Sequence, residues 1–135
     1  MNKKDYYRYI AVFLFSDDGI NITFPDLPGC ISFGKDEKEA VRNAKEVLTL
    51  HMYGMEEDNE KIPMPSSIRD INISENEYPV LIEVYMPPFR ARQSSRFVKK
   101  TLSIPYWLNI EAEHKGINFS QTLQNALKEQ LHINE

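Results

Sequence analysis

The sequence predicts an α+β protein in two parts: a small sheet carrying one helix over residues 1–88, and a strand with two helices over residues 98–135 that folds as a dimer. A basic linker at 89–97 joins them. Three observations carry this expectation. Apolar runs at 6–15, 20–24, 31–33 and 78–86 read as strands, whereas apolar residues at three- and four-residue steps from Ala40 to Met52 read as a helix. Charge is sorted along the chain: residues 1–88 hold 16 acids and 9 bases, and residues 89–135 hold 4 acids and 7 bases. Finally, a polar strand ending at Pro105 leads into two short amphipathic helices separated by Gly116.

Residues 6–15 (YYRYIAVFLF) are apolar on both parities, which predicts a central strand covered on both faces. Asp17-Asp18-Gly19 supplies a turn, and Ile20, Ile22 and Phe24 then alternate with polar residues to complete a hairpin. The stretch Phe24-Pro25-Asp26-Leu27-Pro28-Gly29-Cys30 cannot be regular, because two prolines remove ladder donors; a short strand resumes at 31–33. Asp36 and Glu39 fit a capping box that opens a helix of about five turns. The acidic run 56–67 is a loop, and 78–86 is a returning strand stopped by Pro87-Pro88. Between Phe89 and Ile110 the chain holds Arg90, Arg92, Arg96, Lys99 and Lys100 and no acid, the footprint of a segment that meets phosphate or of a solvated linker.

In the last part, Val98, Lys100, Leu102 and Ile104 share one parity while Lys99, Thr101 and Ser103 share the other. Pro105 starts a short helix through Leu108, Glu111, Ala112 and Lys115 that ends at Gly116. Asn118, answered by Gln121, caps a second helix striped by Phe119, Leu123, Ala126, Leu127 and Leu131. One strand and two short helices bury too little surface to stand alone. Two copies with paired strands would share a core of Val98, Leu102, Ile104, Leu108, Ala112, Leu123, Ala126 and Leu127.

Composition narrows the function. With 41% hydrophobic and 27% charged residues the chain is globular, and no apolar stretch approaches the roughly 18 residues needed to span a bilayer. The start lacks a secretory cleavage site, so the expected compartment is the cytoplasm. One cysteine, Cys30, gives neither an internal disulfide nor a zinc site, and neither metal nor cofactor is expected. A two-metal nuclease needs converging carboxylates, yet Asp17, Asp18 and Asp26 fall in turns and only Glu83 falls in a strand. His51, His114 and His132 are scattered, so no catalytic residue is expected.

The segment from Lys99 to Pro105, the following helix, the Gly116-Ile117-Asn118-Phe119-Ser120 turn and the last helix resemble the ribbon-helix-helix family of DNA-binding dimers. The resemblance implies that Lys99, Thr101 and Ser103 read base edges of operator DNA, and that the amides of Asn118, Phe119 and Ser120 clamp a phosphate. Arg90, Arg92, Arg96 and Lys100 would add contacts to phosphate.

Phe24-Pro25-Asp26-Leu27-Pro28-Gly29-Cys30, then Gly34, the helix with Glu39-Ala40 and Asn43-Ala44, and Ile62-Pro63-Met64-Pro65-Ser66, resemble the HicB antitoxin family. That resemblance implies a partial RNase H-like sheet without nuclease activity. It implies a partner too, an mRNA-cleaving toxin of the HicA type, with repression of the shared operon by the C-terminal module. Toxin contacts would then come from Phe24, Pro25, Asp26, Leu27 and Pro28 and from Ile62, Pro63, Met64 and Pro65. A homodimer or higher oligomer and no membrane are expected. Two other readings stay open: a metabolite-sensing ribbon-helix-helix repressor, and an RNase H-like metal-dependent nuclease.

Overall fold

The computed structural model describes residues 3–134; Met1, Asn2 and Glu135, which the expected domain limits include, lie outside them. The chain divides into two compact units, Met1–Arg96 and Phe97–Glu135. In the first, strands β1 (Tyr6–Ser16), β2 (Gly19–Thr23), β3 (Ile31–Gly34) and β4 (Glu77–Tyr85) form one antiparallel sheet in the order β3-β2-β1-β4. Aromatic and β-branched residues dominate β1, as an inner strand requires. Its residues Tyr7, Tyr9, Ala11 and Phe13 join the core with helix α1 (Glu37–Glu57), and Ile10 and Val12, of opposite parity, are buried as well.

Two glycines fix how the hairpin and helix meet. Gly19 follows the Asp17-Asp18 turn with φ 141°, and a Cβ there would lie 2.6 Å from both the Gly34 carbonyl oxygen and the Phe33 ring. At Gly34 a Cβ would stand 2.5 Å from the Ala40 backbone, so β3 abuts the first turn of α1. Asp36 caps that helix as expected, accepting from the Glu39 N–H at 2.8 Å, while the Glu39 carboxylate accepts from the Lys35 N–H rather than from the cap residue. Ala40, Ala44, Leu48 and Met52 bury one face at four-residue steps. The helix runs past the expected end, so Glu56 and Glu57 are helical rather than loop. It closes with Asn59 at φ 52° and the Glu60 N–H donating to Met55 O at 2.9 Å, a left-handed cap that asparagine tolerates.

Because β4 is antiparallel to β1, α1 is not a simple crossover, and residues 58–76 must carry the chain back along the sheet. Four hydrogen bonds at three points fasten this return. The Tyr9 hydroxyl donates to Pro63 O at 2.6 Å, the Ser66 N–H and hydroxyl both donate to Asp26 at 2.7 Å, and the Phe15 N–H donates to Asn76 O at 2.9 Å.

The structure corrects the expected linker. Pro87 and Pro88 do not end the ordered region; they occupy the first turn of helix α2 (Pro87–Gln93), where a missing N–H costs nothing. Arg90 is thereby turned inward, away from the role in DNA contact expected of it. Its guanidinium donates to Glu56 through Nε at 3.0 Å and Nη2 at 2.6 Å, and the Tyr7 hydroxyl donates to the same carboxylate at 2.7 Å. Glu56 lies in the last turn of α1, where the helix dipole disfavours an anion, and its side chain is 3% exposed. Burial pushes its carboxyl up, but the hydrogen bonds from Arg90 and Tyr7 outweigh burial and hold it below its ordinary value. Burial and the bond to Glu56 push the Tyr7 phenol up to about 12. No buried side-chain polar atom among the described residues lacks a partner.

Removing Arg90 would strand a buried carboxylate, so Arg90→Ala is expected to cost on the order of 3–5 kcal/mol of stability at neutral pH. A lowered carboxyl contributes stability that is present above its unfolded value, about 4.3, and is lost as pH falls through the folded value. In the variant the Arg90 hydrogen bonds no longer oppose burial and only the Tyr7 hydroxyl still donates to the carboxylate, so that contribution shrinks. Thermal unfolding followed by circular dichroism should therefore show the gap between wild type and Arg90→Ala narrowing on acidification below about pH 4; a gap that is constant with pH would refute this account of the pair.

Candidate functional site

The second unit holds helices α3 (Tyr106–His114) and α4 (Phe119–Gln130). Pro105 stands at the N-cap of α3, and Gly116, at φ 68°, ends that helix. The Gly116 N–H donates to Glu113 O and the Ile117 N–H to Ala112 O, both at 3.0 Å, which leaves two residues to turn the chain. Asn118 then caps α4, its side chain accepting from the Gln121 N–H at 2.9 Å. With that carbonyl so used, the amides of Phe119 and Ser120 are the first-turn donors that helix geometry leaves without an i−4 acceptor. The strand expected at 98–104 carries no ladder in one chain, because nothing among the described residues pairs with it.

The parity of that segment is nonetheless sorted. Lys100, Leu102 and Ile104 line a groove of about 610 Å³ together with Asn109 and Glu113 of α3 and Phe119, Leu123 and Ala126 of α4. Lys99, Thr101 and Ser103 do not line it. No residue of α3 or α4 is buried, and Val98, Leu102, Leu108 and Leu127 are exposed apolar side chains. Ala112 and Leu123 are half-buried, and Ala126 is exposed. Arg96 and Lys100 lie on the surface in this region of sequence, and Arg92 sits in the last turn of α2.

In the first unit the expected docking loops behave differently. Phe24 and Leu27 are 3% and 1% exposed and belong to the core, which corrects their assignment to a partner surface. Asp26 is engaged by Ser66, and Ile62 packs on the core; Pro25, Pro28, Met64 and Pro65 remain exposed, and Pro63 is half-buried. The two loops therefore hold each other, and only their proline and methionine side chains face outward. Sequence reasoning missed a groove of about 470 Å³ beside β4, lined by Phe13, Phe15, Val41, Tyr78 and Val80. Its only trace in the sequence was Phe15 and Tyr78, aromatic residues at the ends of two strands.

Glu83 pairs with Arg8 on the surface, and among the described residues no group of three or more His, Cys, Asp or Glu side chains is placed to hold a metal ion. Cys30 is buried, with its thiol pushed up to about 11 by burial, so it is no thiolate at neutral pH. Among the described residues, no helix is long and apolar enough to cross a membrane.

The family model for HicB-like antitoxins of bacterial toxin-antitoxin systems matches residues 9–115. An uncharacterized 14.9 kDa protein of Haemophilus phage HP1 is 42% identical over 62 residues, 46% of this chain and 46% of the phage protein. A UPF0150 protein of Thermoplasma acidophilum is 37% identical over 57 residues, 42% of this chain and 83% of that one. A chain in the structure of a toxin-antitoxin complex from Streptococcus pneumoniae shares the fold, with a TM-score of 0.58 and 24% identity over 93% of this chain and 99% of that one. Since the model match spans most of the sequence, the chain belongs to the HicB-like antitoxins of bacterial toxin-antitoxin systems.

Proposed function

We propose that the chain neutralises a HicA-type, mRNA-cleaving toxin with its first unit, and represses the operon that encodes both by binding operator DNA as a ribbon-helix-helix dimer. Family membership carries the antitoxin half of this reading. The DNA half rests on one observation: Lys100, Leu102 and Ile104 turn onto α3 and α4 while the intervening residues do not. In two copies, strands 98–104 would pair, the open apolar groove would close on its mate, and Lys99, Thr101 and Ser103 would project as a two-stranded ribbon suited to the major groove. The amides of Phe119 and Ser120 at the start of α4 would take a phosphate on each side. No catalytic step is assigned to the antitoxin itself, and the sheet is read as a partial RNase H-like scaffold that blocks the toxin.

Dimerisation through 98–131 is testable on its own. Leu102→Asp or Leu123→Asp places a charge in the shared core at a cost of several kcal/mol, and sedimentation at micromolar concentration should then report monomers where the wild type gives dimers. A wild-type chain that sediments as a folded monomer would sink the ribbon-helix-helix assignment.

Base reading and phosphate contact separate by substitution. Thr101→Ala and Ser103→Ala should each cost about 1–3 kcal/mol of discrimination between operator and random DNA, whereas Arg96→Ala should weaken both alike and flatten the salt dependence by about one unit per lost phosphate contact. Binding titrations at two salt concentrations distinguish these. If neither strand substitution changes the ratio of specific to random binding, the strand is not the reading head.

The clasp between Arg90 and Glu56 also fixes where the toxin-binding fragment must end. Residues 1–96 should neutralise the HicA-type toxin proposed as the partner in an RNA cleavage assay. A fragment cut at 88 lacks Arg90 and should be markedly less stable. Equal stability and potency in the two fragments would show that α2 is dispensable.

A further inference from the structure

The groove beside β4 is more than a gap in the core. Phe13 and Phe15 of β1, Tyr78 and Val80 of β4 and Val41 of α1 form its apolar walls, and Phe15 and Tyr78 meet edge to face at 5.5 Å. A second depression of about 650 Å³ shares Phe15 and Glu37 with it and continues around the β1–β2 turn. That half is polar: Asp17, Asp18, Asp36 and Glu37 line it against two lysines, Lys35 and Lys38. Together they make one trough, apolar at one end and net negative at the other. Its apolar end lies between α1 and strands β1 and β4, and β4 is the end strand of the sheet, with no neighbour on its far side among the described residues. Pro79 removes one backbone donor there and so discourages edge-to-edge stacking, but it leaves the groove itself open.

The charge selects the occupant. A second copy of this chain would bring the same four carboxylates to the same rim, and like charges in apposition oppose self-association. A ribonuclease must present lysine and arginine to its RNA, so its surface complements this rim. Resting on the antitoxin reading above, we propose that the trough seats a segment of the basic toxin. One aliphatic or aromatic side chain enters between Phe15, Val41 and Tyr78, and adjoining lysine or arginine residues lie over Asp17, Asp18 and Glu37. An apolar anchor in a pocket with charges at its rim is the arrangement that concentrates binding energy in few residues.

The chain and its Val41→Arg, Tyr78→Arg, Ile31→Arg and Met64→Arg variants, each checked for folding by circular dichroism, would be titrated with the HicA-type toxin proposed as its partner. Val41 and Tyr78 are exposed on the trough, Ile31 lies on the opposite edge strand, and Met64 tips the return loop. The two trough variants are expected to weaken the complex by tenfold or more, a factor of about that size being what loss of an anchor costs, and the other two to bind as wild type. On the wild-type complex, hydrogen exchange should slow at β4 and the first turns of α1, a readout that needs no variant to fold. Loss of binding in Ile31→Arg or Met64→Arg with the trough variants unaffected would place the toxin elsewhere and overturn the proposal while leaving the antitoxin reading intact. So would unchanged exchange at β4 and α1, or a trough variant that alters the sedimentation of the free chain, which would assign the groove to a second copy. If wild-type chain binds no such protein at all, the antitoxin reading itself fails and this proposal falls with it.

Discussion

The first unit depends on one constraint, the antiparallel pairing of β1 with β4 over nine residue pairs from Tyr6 opposite Tyr85 to Leu14 opposite Glu77. It places the start of β4 at the far end of β1 from where α1 finishes, so the chain must cross the length of the sheet without pairing. An 11-residue strand is about 37 Å long, and 19 residues reach up to about 65 Å when extended, so the return has slack that must be tied down. Tyr9, Asp26 and Phe15 do that tying through Pro63, Ser66 and Asn76. The same pairing delivers the end of β4 beside the start of β1, where the Met86 N–H donates to Asp5 O. Only from there can α2 lay Arg90 on Glu56.

The second unit faces the opposite problem. Its turns and caps are complete in one chain: Gly116 closes α3, Asn118 opens α4, and His132 ends α4 at φ 58° with the Ile133 N–H donating to Lys128 O at 2.8 Å. Its packing is not complete. Local hydrogen bonding fixes the helices, but the apolar stripe on them has nothing within the unit to cover it, and each Å² left wet forgoes roughly 25 cal/mol. Local order without a closed core is what the proposed dimerisation requires of a single copy.

Much of this was legible in the sequence because it depends on neighbours along the chain. The four strands of the sheet, the Asp36 and Asn118 caps and the Gly116 stop are each set within a few residues and appear where the pattern put them, whereas the strand expected at 98–104 has no partner among the described residues. The misreadings have the opposite character. Arg90 looked like part of a basic linker because its partner is 34 residues earlier, on the face of a helix that outran its apolar stripe. Pro87-Pro88 has two meanings, a strand stop or a helix start, and local pattern favours neither. Phe24 and Leu27 looked available because loops are usually exposed, yet the turns between Phe24 O and Leu27 N and between Leu27 O and Cys30 N fold their side chains under the sheet. The trough beside β4 draws on three elements, and Phe15 and Tyr78 at two strand ends are its only trace along the chain.

Arg90 also changes what the charge asymmetry means. With the boundary after Arg96, residues 97–135 carry four bases, Lys99, Lys100, Lys115 and Lys128, against four acids, so the module proposed to bind DNA is not basic in bulk. The apparent surplus came from three arginines of the preceding unit, one of which is spent on Glu56. Attraction to phosphate in the proposed dimer must then be local: Lys99 is exposed on the segment before α3, outside the groove that Lys100 shares with Glu113. The proposed dimer would double Lys99 along one ribbon, and helix N-termini would add partial positive charge without any side chain. Affinity drawn from few phosphates falls less steeply with salt than that of a strongly basic domain, which leaves hydrogen bonds from the ribbon a larger share in choosing the site.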